Sequence, residues 1–223
     1  MLRAVLFDLD DTLYDRSALV LRIAHEQTLA FSEPLARIDP AVFVERLIQL
    51  DAHGYGSKSA AYARIVSELG LAPALAEPLE QHFWETYDAL CEPAQEAQIV
   101  LQALRTHGLK LGVVTNGRSV RQMLKLERLG VAPLFDAVLI SQSEGVRKPE
   151  RAIFERAAAR CGVAAGEALF VGDHPENDIA GARAAGLMAV WKRVSHWEMT
   201  LADVRAVDTL SELLPLCLEP TLG

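Results

Sequence analysis

The chain has 223 residues, of which 51% are hydrophobic, and its formal net charge is −8. The length suits one large domain or a core with a modest second unit, and the apolar content supports a packed core rather than disorder. An acidic surface excludes bulk attraction to nucleic acid or anionic lipid, and no apolar run reaches the roughly 20 residues of a membrane helix.

The N-terminus begins Met1-Leu2-Arg3-Ala4-Val5-Leu6-Phe7-Asp8. Its apolar run is too short, and meets acids too soon, to be a signal peptide. The expected location is cytoplasmic. Leu2 to Phe7 reads as a buried strand running into the charged turn Asp8-Leu9-Asp10-Asp11-Thr12. From about Ser17 to Leu90 the periodicity is helical, with no convincing strand. Asp39-Pro40 pairs an N-cap with a proline suited to a first helical turn. Tyr62, Ile65, Val66 and Leu69 recur at helical spacing, as do Leu79, Phe83, Tyr87 and Leu90. This stretch predicts a helical bundle inserted after the first strand.

Beyond it, helices and strands alternate. Helices are predicted over Pro93–His107, Ser119–Leu129 with Ser119 as N-cap, Glu150–Cys161 and Pro175–Ala185. Strands are predicted over Leu109–Thr115, Ala137–Gln142, Ala168–Gly172 and Leu187–Trp191. Their near-continuous apolarity implies burial on both faces, as in a parallel sheet, and the alternation implies an α/β fold. The three cysteines, Cys91, Cys161 and Cys217, are scattered and read as reduced buried thiols.

In an open α/β sheet, ligands bind beyond the carboxyl ends of the strands. There the sequence places Asp8 and Asp10, then Thr115, Asn116 and Gly117, then Lys148, then Asp173 and Asp178. These types fit phosphoryl transfer. A phosphate monoester dianion repels bare carboxylates, so a hard divalent cation and Lys148 are needed to offset the charge. Asp8 and Asp173 supply oxygen ligands of the kind magnesium prefers; manganese suits the same oxygens. Asp8 is the candidate covalent nucleophile and Asp10 the candidate general acid and base. The Thr115 hydroxyl and the Asn116 backbone N–H are candidate donors to phosphoryl oxygens. Asp178 is expected to orient water or Lys148.

Asp8-Leu9-Asp10-Asp11-Thr12, Thr115-Asn116-Gly117, Lys148-Pro149 and Gly172-Asp173-x-x-x-x-Asp178 resemble, in order, the four motifs of the haloacid dehalogenase-like hydrolase superfamily. The likeness spans nearly the whole chain, and the insert resembles the small helical cap of the phosphoglycolate-phosphatase-like subgroup. The resemblance implies an α/β, Rossmann-like parallel sheet core over 1–16 and 91–223 with an α-helical cap domain over 17–90. It implies a magnesium-dependent phosphatase acting on a small phosphorylated metabolite (a sugar phosphate, a nucleotide or flavin mononucleotide) through an aspartyl-phosphate. Asp8 matches the nucleophile and a magnesium ligand, and Asp10 the acid/base, whose backbone carbonyl is also a ligand. Thr115 and Lys148 match the phosphate-binding pair, Asp173 the remaining metal ligand, and Asp178 the supporting acid.

Alternatives stay open at this level. A phosphomutase of the beta-phosphoglucomutase type shares the motifs. A haloacid dehalogenase is discounted because those enzymes lack an aspartate at the position of Asp10. A non-catalytic phospho-aspartate module lacks a helical insert of this size. Singly, Asn116-Gly117 reads as a turn, Lys148 as a loop lysine, and Asp173 or His174 as a cap before Pro175; Asp11 is assigned to the turn. Trp191 and Trp197 read as core or surface anchors. In the insert, His53, Tyr55 and Lys58 sit in a glycine-bearing break and are candidate substrate contacts. Tyr14–Arg16 and about Leu90–Pro93 are expected hinges. The expected partner is a small metabolite, with neither nucleic acid nor membrane, and the state is monomer or homodimer.

Overall fold

The structure is a computed structural model that describes residues 1–197 and 201–218. Strands β1 (Ala4–Phe7), β2 (Lys110–Thr115), β3 (Ala137–Ile140), β4 (Ala168–Gly172), β5 (Met188–Lys192) and β6 (Arg205–Val207) form one sheet. Its order is β3-β2-β1-β4-β5-β6, and every neighbouring pair is parallel. All four residues of β1 are fully buried, as a central strand of a two-sided parallel sheet requires. Strand order reverses at β1: β2 and β3 lie to one side, β4 to β6 to the other. Ligands of such sheets bind beyond the carboxyl ends at that reversal.

The chain divides into two compact units, Met1–Asp15 with Pro93–Gly223, and Arg16–Glu92. In the second unit, α1 (Arg16–Ala30), α2 (Pro40–Asp51), α3 (Lys58–Glu68) and α4 (Ala76–Leu90) pack on one another. Ile23, Phe43, Leu47, Tyr62, Ile65, Leu79 and Phe83 form its core. The Asp39 carboxylate accepts from Ala41 N at 2.8 Å, so the N-cap predicted before Pro40 is present.

In the sheet unit, the helices are α5 (Gln95–Thr106), α6 (Ser119–Arg128), α7 (Ser141–Glu144), α8 (Arg151–Arg160), α9 (Gly181–Ala184) and α10 (Leu213–Leu218). Leu6, Val114, Leu139 and Phe170 pack with Ile153, Phe154 and Ala157 of α8 and with Ala182 of α9. Phe154 meets Phe170 edge-on at 5.0 Å. Residues of opposite parity, Val5, Phe7, Leu111 and Val113, are equally buried, so both faces of the sheet are covered. Among the described residues, no helix is long and apolar enough to cross a membrane.

Three expectations are corrected. The third predicted strand stops at Ile140, and Ser141 opens the one-turn helix α7. There Ser141 and Gln142 accept from Gly117 N and Ser119 N, using polar side chains that a strand would not. Ser119 is the first residue of α6 rather than its cap, because Arg118 holds the extended cap conformation. Pro175–Ala180 winds as a π-helix, and only Gly181–Ala184 is α-helical. Strand β6 was not among the predicted strands: its three residues form an edge strand that, among the described residues, pairs with β5 alone.

Candidate active site

The site begins where the sheet ladder ends. Asp8 N donates to Val171 O at 2.9 Å, which places the Asp8 carboxylate just beyond β1, beside the end of β4. Asp11 then takes φ 59°, in keeping with its assignment to the turn. Lys148 Nζ donates to Asp8 Oδ1 at 2.5 Å and lies 2.7 Å from Asp178 Oδ1. Asp8, Asp173 and Asp178 each bring a carboxylate oxygen within 4.8 Å of the others. All four side chains are buried.

Electrostatics here is unbalanced. Burial, together with repulsion from Asp178 and Asp173, raises the Asp8 carboxyl well above the ordinary carboxylate range, against the pull of Lys148. Burial and Asp173 likewise raise Asp178, again against Lys148. Burial alone would lower Lys148, but Asp178 and Asp8 outweigh it and hold the ammonium charged above its usual range. Three buried carboxylates thus cluster beside one buried ammonium, which among the described residues pairs with Asp8 and Asp178 only. That surplus of negative oxygen is the donor set a hard divalent cation takes, so Asp8 and Asp173 fit a metal.

Asp178 plays a different part from the other two. Its Oδ2 accepts from His174 N at 3.0 Å while Oδ1 faces Lys148. It therefore pairs with the lysine while bonded to the start of the following turn. Gly172 makes the room: a Cβ there would lie 2.5 Å from Asp178 Cγ and Oδ2. Gly172→Ala is expected to cost about 1–3 kcal/mol through overpacking, measured as a lowered urea midpoint. An unchanged midpoint would mean that Asp178 moves aside freely. His174 is the cap of the following turn, its Nδ1 accepting from Glu176 N and Asn177 N at 3.2 and 3.1 Å.

Asn116 clasps the lysine segment. Its Nδ2 donates to Lys148 O at 3.0 Å, and its Oδ1 accepts from Lys148 N at 2.9 Å. Thr115 ends β2, buried, with its hydroxyl oxygen accepting from Gln122 Nε2 at 2.6 Å. Asp10 is held by groups the sequence reading missed. Tyr14 Oη donates to Oδ1 at 2.5 Å, Lys125 Nζ lies 2.7 and 2.9 Å from the two oxygens, and Gln122 Nε2 donates to Oδ2 at 3.0 Å. Gln122 and Lys125 share one side of α6 at i, i+3 spacing just after Thr115-Asn116-Gly117, the signal that could have found them. Two indoles brace Asp173: Trp191 Nε1 donates to its backbone oxygen at 2.6 Å and Trp197 Nε1 to Oδ2 at 3.1 Å.

The insert candidates lie in the helical unit. His53 takes φ 53° in the short turn Ala52–Gly54, and His53 and Tyr55 are both exposed. Lys58 is buried instead, its ammonium bonded to Asp51 and lying 5.2 Å from the Phe83 ring centroid. Asp51 also accepts Arg16 through two bonds of 2.8 Å.

Comparison with known proteins gives the family. A family model described as haloacid dehalogenase-like hydrolase matches residues 2–186. A glyceraldehyde 3-phosphate phosphatase of Methanopyrus kandleri is 37% identical over 196 residues, covering 85% of this chain and 83% of that protein. A ribulose-1,5-bisphosphate 5-phosphatase of Halopiger xanaduensis is 32% identical over 242 residues, covering 97% and 99%. The crystal structure of YfnB from Bacillus subtilis, bound to magnesium, superposes with a TM-score of 0.76 at 24% identity, covering 97% of this chain and 98% of that one. At that identity the likeness speaks to the fold. With its motifs gathered at the strand ends and the family model spanning most of its length, the chain belongs to the haloacid dehalogenase-like hydrolase family.

Proposed function

We propose that this chain is a magnesium-dependent phosphatase that hydrolyses a small phosphorylated metabolite through an aspartyl-phosphate on Asp8. The observation that carries the reading is the buried set Asp8, Asp173 and Asp178 around Lys148 at the reversal of strand order. Relatives named as phosphatases of three- and five-carbon sugar phosphates support that substrate class.

The Asp8 carboxylate attacks phosphorus, and the bond to the leaving oxygen breaks. Asp10 gives that oxygen its proton, then takes one from the water that attacks the aspartyl-phosphate. The second attack frees inorganic phosphate and restores the Asp8 carboxylate. The Thr115 hydroxyl, the Asn116 backbone N–H and the Lys148 ammonium hold the phosphoryl oxygens as charge builds on them. Asp178 and Asn116 keep Lys148 in place. Asp8 and Asp173, with the backbone carbonyl of Asp10, would hold magnesium, which when bound neutralises charge on the phosphoryl group. We assign selection of the leaving group to the helical segment 17–90 acting as a cap, with His53 and Tyr55, both exposed, as its candidate substrate contacts; the burial of Lys58 against Asp51 withdraws it from that set.

The test is release of inorganic phosphate from a panel of triose, pentose and hexose phosphates, nucleotides and flavin mononucleotide. Release is expected with magnesium and lost with a chelator, then restored on adding the metal back. Folded protein that releases phosphate from no compound in the panel would overturn the assignment.

A further inference from the structure

Gln122 is the polar residue on the buried side of α6, with Leu126 one turn on; both are buried. A buried carboxamide must find partners or destabilise the fold. This one finds two in the proposed chemistry, donating through Nε2 to Thr115 Oγ1 at 2.6 Å and to Asp10 Oδ2 at 3.0 Å. Toward Asp10 the amide presents its nitrogen, the donor end, and Oδ2 accepts from it. Nε2 has only hydrogens to give, so Thr115 Oγ1 accepts from it. The threonine's own hydroxyl proton is thereby directed away from Gln122, toward whatever acceptor enters the site.

The loop is shaped for this side chain. Gly117 has φ 155°, and a Cβ on it would lie 2.9 Å from both Cγ and Cδ of Gln122. The residue following Thr115-Asn116 is therefore bare where the amide passes.

We infer that Gln122 is a positioning residue that ties Asp10 to Thr115. One amide sets both the aim of the carboxyl that serves the leaving group and the direction of the hydroxyl proton that serves the phosphoryl group. The inference rests on the roles proposed above for Asp10 and Thr115. Lys125 and Tyr14 also hold Asp10, but Gln122 alone among these bonds reaches Thr115 as well.

The test compares kcat/KM of the full chain on an alkyl phosphate and on 4-nitrophenyl phosphate, with inorganic phosphate as competitive inhibitor. An alkoxide needs a proton to leave, whereas 4-nitrophenolate leaves without one. Asp10→Asn is the reference and should lose about 10²–10⁴-fold on the alkyl ester and far less on the aryl ester. Gln122→Met, equal in length and without donors, should lose at least about tenfold more on the alkyl than on the aryl ester. It should also bind inorganic phosphate severalfold more weakly. Gln122→Glu, which keeps the shape but puts an acceptor against Asp10, should show the same selectivity and serves if the methionine variant fails to fold. Equal losses on both esters with unchanged phosphate inhibition would make Gln122 a packing residue and overturn the inference, as would no loss at all. Should Asp10→Asn itself show no leaving-group selectivity, the acid role of Asp10 falls and the inference with it. Selectivity in Asp10→Asn without selectivity at Gln122 overturns the inference alone.

Discussion

Asp8→Asn is expected to lower turnover by on the order of 10⁴-fold or more, the scale seen when a covalent nucleophile is removed. The amide cannot form the phosphorylated intermediate, and the remaining groups can only position water. The fold should survive the change. Asparagine has the same shape and keeps an oxygen to accept from Lys148, while Asp178 still pairs with that lysine. Removing one of three crowded carboxylates also relieves the repulsion that raises Asp8. The measurement is single-turnover phosphate release beside a thermal melt in the same buffer. Near-normal release from a folded variant would rule out covalent catalysis by Asp8.

The second large effect concerns stability. Asp51 of the helical unit is buried and accepts two bonds from Arg16, one from Lys58 and one from Gly54 N at 3.0 Å. Burial alone would raise its carboxyl, but Arg16 and then Lys58 outweigh that and hold it well below the usual carboxylate range. Asp51→Asn leaves two buried cations without their counter-charge and is expected to cost about 3–5 kcal/mol, read from urea unfolding at pH 7. A loss below about 1 kcal/mol would mean that Arg16 and Lys58 reach water without cost. The apolar triple replacement Arg16→Met, Asp51→Leu, Lys58→Met is expected to recover most of the loss, since removing a whole buried ion cluster spares the desolvation of every member.

The sign with pH follows from the depressed carboxyl. A group whose folded pKa lies below its unfolded value, about 3.9 for aspartate, contributes stability that is complete above the unfolded value. That contribution is lost as pH falls through the folded one. The difference between the native chain and Asp51→Asn should therefore hold its size from pH 7 to pH 5 and shrink only in strong acid. A difference already fading at pH 6 would mean that Asp51 is not held down by its cations.

Legibility from sequence varied with the distance between partners. β1, β2 and β4 could be read because a fully buried parallel strand is a short apolar run, and each such run ends in the polar residues that leave the sheet. Edge strand β6 could not, because Arg205-Ala206-Val207 is too short for a pattern and is made a strand by β5 beside it. The clamp on Asp10 drew on Lys125, separated from it by 115 positions. The pair Arg16 and Asp51 is 35 positions apart, and Lys58 was read as a substrate contact because nothing nearby announced its burial. Trp191 and Trp197 looked like packing residues because an indole's one N–H shows its use only when its acceptor is known.

By itself the sequence determined the alternation of strands and helices, the helical insert, and the supply of carboxylates, hydroxyl and ammonium at the strand ends, since these depend on local periodicity and side-chain chemistry. The tertiary structure decided which acids share Lys148, which cation answers Asp10, and which lysine of the insert is spent on Asp51. Burial and counter-charge set how an ionisable group behaves, and both are properties of segments that meet only after the chain has folded.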